Sequence, residues 1–357
     1  MDRRIRRARG IRALGAILAG VALSAAALTA CAGGADESPA HPFGPPPEAS
    51  PGIHAWAVGE AGGLLVTADG GATWSRQRFY LSQRGVDVAF TDVATGWLVT
   101  DGGTVLATTD GGADWAVVKQ TDLAVKALAA SSAACAWVVG SAAAAAGGDV
   151  ATVLRTADGG ATWRRTRFGM AQLTDVVFAD DRHGLLLALD RIWSTTDGGR
   201  TWKLRTTLPM TVLTSVTMTD VRHAWVAGWD TQTGDPLVFT SRDGGVTWRA
   251  LRLRVSPAGP GALQARQIAA AAGRLWVTCP AGVLASRDGG RSWELQQVPA
   301  GRPAAIAAAD EAHVLATTET QPILASVDGG AVWLAFGRAD FLERPLVAVA
   351  AVAGPAQ

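Results

Sequence analysis

Between residues 172 and 206 the pattern of apolar and polar positions changes four times. QLTDVVFAD alternates, HGLLLALD runs apolar, and RIWSTTDGG and RTWKLRTT complete the stretch. Alternation predicts a strand buried on one face, and a short apolar run predicts one covered on both. Four short strands separated by tight turns are the plan of a propeller blade. The third and fourth are joined by DGG, whose glycines supply the positive φ that a tight hairpin needs. The Asp carboxylate can accept amide hydrogens of its own turn, and the Trp that follows can cover the hairpin.

The same box is written seven times, closing at Trp74, Trp115, Trp163, Trp202, Trp248, Trp293 and Trp333, with spacings of 41, 48, 39, 46, 45 and 40 residues. A period near forty with one hairpin signal per unit predicts a β-propeller. The box aspartates Asp69, Asp110, Asp158, Asp197, Asp243, Asp288 and Asp328 are therefore expected to be structural. Five further tryptophans, Trp56, Trp97, Trp137, Trp225 and Trp276, recur in second strands. Trp193 falls on a third strand and reads as packing, whereas Trp229 is expected to open the polar loop WDTQTGDP.

At Ile53 the repeat begins on a second strand (IHAWAVG), and after the last box PLVAVAAV resembles a first strand with no successors. Residues 346–352 are thus expected to complete the first blade. The predicted fold is all-β, a seven-bladed β-propeller of four-stranded blades over residues 53–352, with a tail at 353–357. Stacked units share one core, so the whole ring is needed for stability.

The segment before the repeat changes the expected location. Six arginines between Arg3 and Arg12 precede an apolar run that ends Leu28-Thr29-Ala30-Cys31. This reads as a lipoprotein signal peptide over residues 1–30, with Cys31 the lipidated residue. An uncleaved anchor is the alternative, and both put the domain outside the cytoplasm. Residues 31–52, rich in Pro and Gly, read as a tether. Without residues 1–30 the formal charge falls from +1 to about −4, which argues against a nucleic-acid binder. Cys135 and Cys279, in non-adjacent repeats, read as separate buried thiols.

The box S/T-x-DGG-x-S/T-W resembles the Asp-box, or BNR repeat. With the second strand included, stretches such as TGWLVTDGGTVLATTDGGADW at residues 95–115 resemble the photosystem II stability and assembly factor family. That resemblance covers residues 53–352. It implies an exported, non-catalytic propeller, commonly a lipoprotein, that binds newly made reaction-centre subunits through an arginine patch on one face. HGLLLALD and HVLATTE depart from the pattern by lacking the second-strand aromatic.

Candidate chemistry is sparse. A sialidase needs a Tyr nucleophile and an arginine cluster. The single tyrosine, Tyr80, lies in the FYLSQRG connection rather than late in the chain. Another Asp-box glycoside hydrolase or a carbohydrate-binding propeller stays open as the rival class, and acids converging at the mouth of the central channel would favour it. His183, His223 and His313 lie one and two repeats apart, each in the turn before a second strand, so a shared metal site is not expected. No cofactor motif is present. A partner is expected on loops joining successive blades and those between second and third strands, where Tyr80, Arg84, Arg266, Arg344 and Trp229 fall. The expected partner is a membrane-protein or envelope-complex subunit, met by a lipid-anchored monomer.

Overall fold

A computed structural model describes residues 50, 52–59, 63–78, 83–143, 148–169, 172–253, 255, 261–320, 322–336 and 345–354. Cys31, Tyr80 and Arg344 lie outside these residues. The strands form seven four-stranded antiparallel sheets, each one blade. The innermost strands are Leu346–Ala353, Gly85–Phe90, Ala124–Ala130, Leu173–Phe178, Thr211–Met218, Ile268–Ala271 and Pro303–Ala308. Each contacts the innermost strand of the next blade, and Leu346–Ala353 touches both Pro303–Ala308 and Gly85–Phe90. The ring is therefore closed as the sequence predicts. Leu346–Ala353 pairs with Ile53–Gly59 from Ile53 opposite Ala353 through to Gly59 opposite Leu346.

Burial peaks in the second strands of the blades. Second strands such as Gly96–Thr100 and Gly184–Ala188 are buried at every position, because neighbouring blades cover both faces. This is why they read as unbroken apolar runs. Fourth strands such as Ala116–Gln120 and Lys203–Thr207 are mostly exposed. Cys135 and Cys279 are separate, buried, free thiols.

In every blade the box Asp accepts the hydroxyl two residues earlier and the amide four residues later. In the first, Asp69 accepts the Thr67 hydroxyl at 2.7 Å, the Thr73 amide at 2.9 Å and the Thr73 hydroxyl at 2.5 Å. The Gly71 amide donates to Thr67 Oγ1 at 3.0 Å, and Trp74 Nε1 donates to the Gly71 carbonyl at 3.1 Å. Such bonds to the charged form stabilise the carboxylate. At Asp288, those from the Ser292 hydroxyl and amide hold it down at about 2.

Three of the five second-strand tryptophans fasten a different box from their own. Trp56 Nε1 donates to the Gly111 carbonyl at 2.7 Å, Trp137 to Gly198 at 3.0 Å and Trp276 to Gly329 at 3.0 Å. Each partner is the first glycine of the next blade's DGG. Trp56 also stacks on Phe90 and Trp137 on Phe178, with ring centroids 3.4 Å apart in both pairs. A Cβ on Gly199 would sit 3.2 Å from Trp137 Nε1. Blades four and seven, which lack the aromatic, put Leu185 and Leu315 in the same place, against Gly245 and Gly71 of the following blade.

Removing residues 345–357 is expected to abolish the single cooperative thermal transition, because blade one then loses its innermost strand; an unchanged calorimetric melt would refute ring closure. Trp137→Ala, which empties the latch between blades three and four, is expected to lower unfolding free energy by about 3–5 kcal/mol in urea titrations.

Candidate binding face

Loops between blades and turns between second and third strands share one end of the ring. Arg84, just before the innermost strand of blade two, and Asp101, in that blade's 2–3 turn, are tied both ways. The Arg84 amide donates to Asp101 Oδ1 at 3.1 Å, and the Asp101 amide donates to the Arg84 carbonyl at 2.9 Å. Arg84 is exposed, and its guanidinium has no partner among the described residues. Arg266 is half-buried and engaged. It pairs with Glu319 at 2.5 Å, and its Nη1 donates to the Pro303 carbonyl at 3.4 Å. Its charge is thus largely answered within the fold.

Trp229 is displaced from its expected place. It belongs to the second strand Ala224–Asp230, opposite both Val212 and Pro236, and the loop begins only after Asp230. The strand continues because Pro236 is on the third strand Pro236–Ser241 and the ladder carries on to meet it. The half-buried indole therefore stands on sheet at the rim of the face, not on a mobile loop.

Beside it lie two residues that sequence reasoning missed. Leu189, in the 2–3 turn of blade four, has φ 22°, and Met210, in the loop entering blade five, has φ 63°. Positive φ costs an ordinary L-residue roughly 1–2 kcal/mol, and such strain concentrates at functional sites. Both side chains are nevertheless outward, 40% and 59% exposed. The backbone holds them there. The Leu213 amide donates to the Leu189 carbonyl at 2.5 Å, and the Thr231 amide and hydroxyl donate to the Met210 carbonyl at 2.9 and 3.0 Å. Leu189, Met210 and Trp229 so form an apolar rim on blades four and five. The available signal was an apolar residue straight after Pro209, at the entry to a first strand.

The channel contains carboxylates at bulges of the innermost strands. Asp87 accepts the Val88 amide and, in blade three, the Leu128 amide, both at 2.8 Å. Asp175 accepts the Val176 amide and, in blade five, the Val216 amide, both at 2.8 Å. Gln267 repeats the device in neutral form, taking the Ile306 amide of blade seven at 2.6 Å. Enclosure by the blades, and at Asp87 the neighbouring charge of Asp175, outweigh these bonds and push Asp87 up to about 7 and Asp175 up to about 6. Their oxygens are committed to backbone amides, so the pair acts as staples between blades.

The three histidines each turn back on an Asp three residues earlier. His183 Nδ1 lies 2.9 Å from Asp180, His223 Nδ1 2.7 Å from Asp220, and His313 Nδ1 2.8 Å from Asp310. They cap the turn of their own blade. Among the described residues no group of three His, Cys, Asp or Glu could hold a metal ion.

The fold and its seven fastened boxes define an Asp-box β-propeller. The chain belongs to the family described as photosynthesis system II assembly factor YCF48, whose profile matches residues 78–171, 168–274 and 208–340. Among solved structures it is similar to one described as YCF48 bound to D1 peptide, at a TM-score of 0.56 and 17% identity, covering 83% of this chain and 89% of that one. YCF48 from Cyanidioschyzon merolae matches at a TM-score of 0.56 and 20% identity, over 74% and 88%. The GH74 xyloglucanase from Xanthomonas campestris matches at 0.56 and 18%, over 79% of this chain but 46% of its own. This chain therefore spans under half of that enzyme. At these identities the likeness shows the fold alone. No curated protein matches.

The channel acids set a pH dependence. Their folded pKa values lie above the unfolded value of 3.8, so the stability they contribute is full below pH 3.8 and lost as pH rises through 6 to 7. Urea unfolding at fixed pH is expected to show stability rising from pH 8 to 5. Replacing Asp87 and Asp175 by Asn should flatten that rise while lowering stability throughout, because an amide offers only one acceptor oxygen. A flat profile in the parent protein would contradict the assignment.

Proposed function

We propose that this chain is a non-catalytic, lipid-anchored propeller that holds a segment of a membrane-complex subunit on its loop face. The observation that carries this reading is the apolar rim of Leu189, Met210 and Trp229, with two of its members exposed at positive φ. Apolar anchors with arginine nearby are the usual hot spots of an interface. Arg84, exposed on blade two, adds a positive charge to the same loop end at a distance from this rim, Arg344 is proposed as a further partner contact, and Arg266 is engaged by Glu319. Family membership supports the reading, as does a fold shared with a YCF48 bound to a D1 peptide. In this scheme residues 1–30 are a signal peptide, Cys31 carries the lipid, and residues 31–52 tether the ring outside the cytoplasm.

A glycoside-hydrolase reading has the xyloglucanase fold in its favour. Against it, the channel carboxylates Asp87 and Asp175 are occupied by amides and are not presented to a sugar.

The test is affinity capture from detergent-solubilised membranes of the source cell, read by mass spectrometry. The parent chain is expected to retain a membrane-complex subunit, and Met210→Asp to lose at least nine-tenths of it with an unchanged melt. Equal capture by both would overturn the face assignment, and release of reducing sugar from xyloglucan would favour the hydrolase. Cys31→Ser is expected to move the protein from the membrane to the soluble fraction on cell fractionation.

A further inference from the structure

Blade three carries an unusual pair on its outer hairpin. Arg155, on the third strand Asp149–Thr156, lies directly opposite Arg164 on the fourth strand Arg164–Phe168. Like charges directly opposite on one face destabilise a sheet. No other blade does this at the same position. The equivalent pairs are Val66 with Ser75, Ala107 with Ala116, Ser194 with Lys203, Thr240 with Arg249, Ala285 with Glu294 and Ala325 with Leu334.

Arg155 is also only 8% exposed, and its Nη1 is buried with no hydrogen-bond partner. A buried guanidinium left without a partner is strongly unfavourable. It lines a cavity of about 380 Å³ together with Arg164, Arg165, Thr166, Gly199 and Arg200, between the outer edge of blade three and the Asp box of blade four. Arg165 is answered by Asp122. Arg200 spends one nitrogen on the Asp197 carbonyl at 3.0 Å. The Asp197 carboxylate is held by Thr195 and Thr201 and does not pair with Arg155. Burial, then the charges of Arg200 and Arg164, lower the Arg155 pKa, and Cys135 and the Asp197 carboxylate offset this only in part. Three guanidinium groups from two blades therefore line one cleft, and among the described residues none of the three forms an ion pair with a carboxylate.

We infer that this cleft is an oxyanion site, taking a phosphate or sulfate group between Arg155, Arg164 and Arg200. One guanidinium satisfies a carboxylate through its two-pronged geometry, whereas three arranged around a cavity suit a tetrahedral group with two charges. The cavity exceeds a bare ion, so the group can be carried on a small molecule or a lipid headgroup. The site lies on the Asp-box side of the ring and stands independently of the loop-face reading.

Calorimetric titration of the full chain with inorganic phosphate tests it. Saturable binding at one site is expected, with sulfate competing and acetate at least tenfold weaker. Arg155→Met and Arg200→Gln should each weaken binding at least tenfold, and Arg84→Ala should leave it unchanged. If Arg155→Met fails to fold, Arg200→Gln, on an exposed side chain, gives the answer alone. No saturable uptake, or equal affinity in both arginine variants and the parent, would overturn the site. Phosphatidylglycerol vesicles retained by the parent but not by Arg200→Gln would assign a headgroup source, while phosphate binding without vesicle binding would assign a soluble one; either supports the site.

Discussion

The ring depends on one contact repeated from blade to blade. In five blades a large second-strand side chain presses against the DGG turn of the blade that follows, in three of them with its indole donating to a glycine carbonyl there. In blades two and five Val118 and Leu251 of the fourth strand approach that turn. The turn therefore needs glycine twice over, for positive φ and for the absence of a Cβ where the neighbour's ring or isobutyl group sits. Because the contact joins blade seven to blade one through Leu315 and Gly71, no blade completes its core until the last strand has returned to the first. The most repeated motif in the chain is consequently committed to holding the ring together.

That commitment decides where binding can occur. The Asp-box aspartates are filled by their own turn, and the channel acids by amides of the next blade. The loop end is free of these fastenings, and two of its residues, Leu189 and Met210, hold positive φ. There Leu189 and Met210 project apolar groups that the fold itself does not bury.

Much of the architecture was legible in the residues because its signal is local and periodic. Seven boxes, the alternating first strands and the unmatched strand at the end lead directly to a closed seven-bladed ring. Contacts between repeats were not legible. Trp56 meets Gly111 across 55 residues, and nothing near Trp56 says that its partner is the next turn and not its own. Arg266 read as a free cation because its answering charge, Glu319, is one blade away. Trp229 read as loop because its polar successors hid a ladder that runs on to Pro236. Asp175 read as an ordinary polar position of the alternating QLTDVVFAD, since no local signal marks which polar side chain meets the channel. Met210 carried only its position after Pro209, and Leu189 only a turn.

The account is tested most directly by hydrogen–deuterium exchange on the full chain, alone and with its captured partner. Protection confined to residues 189–190, 208–212 and 229–236 is predicted, since these segments carry the apolar rim. Protection confined to the Asp-box turns, or none at the loop face, would contradict it.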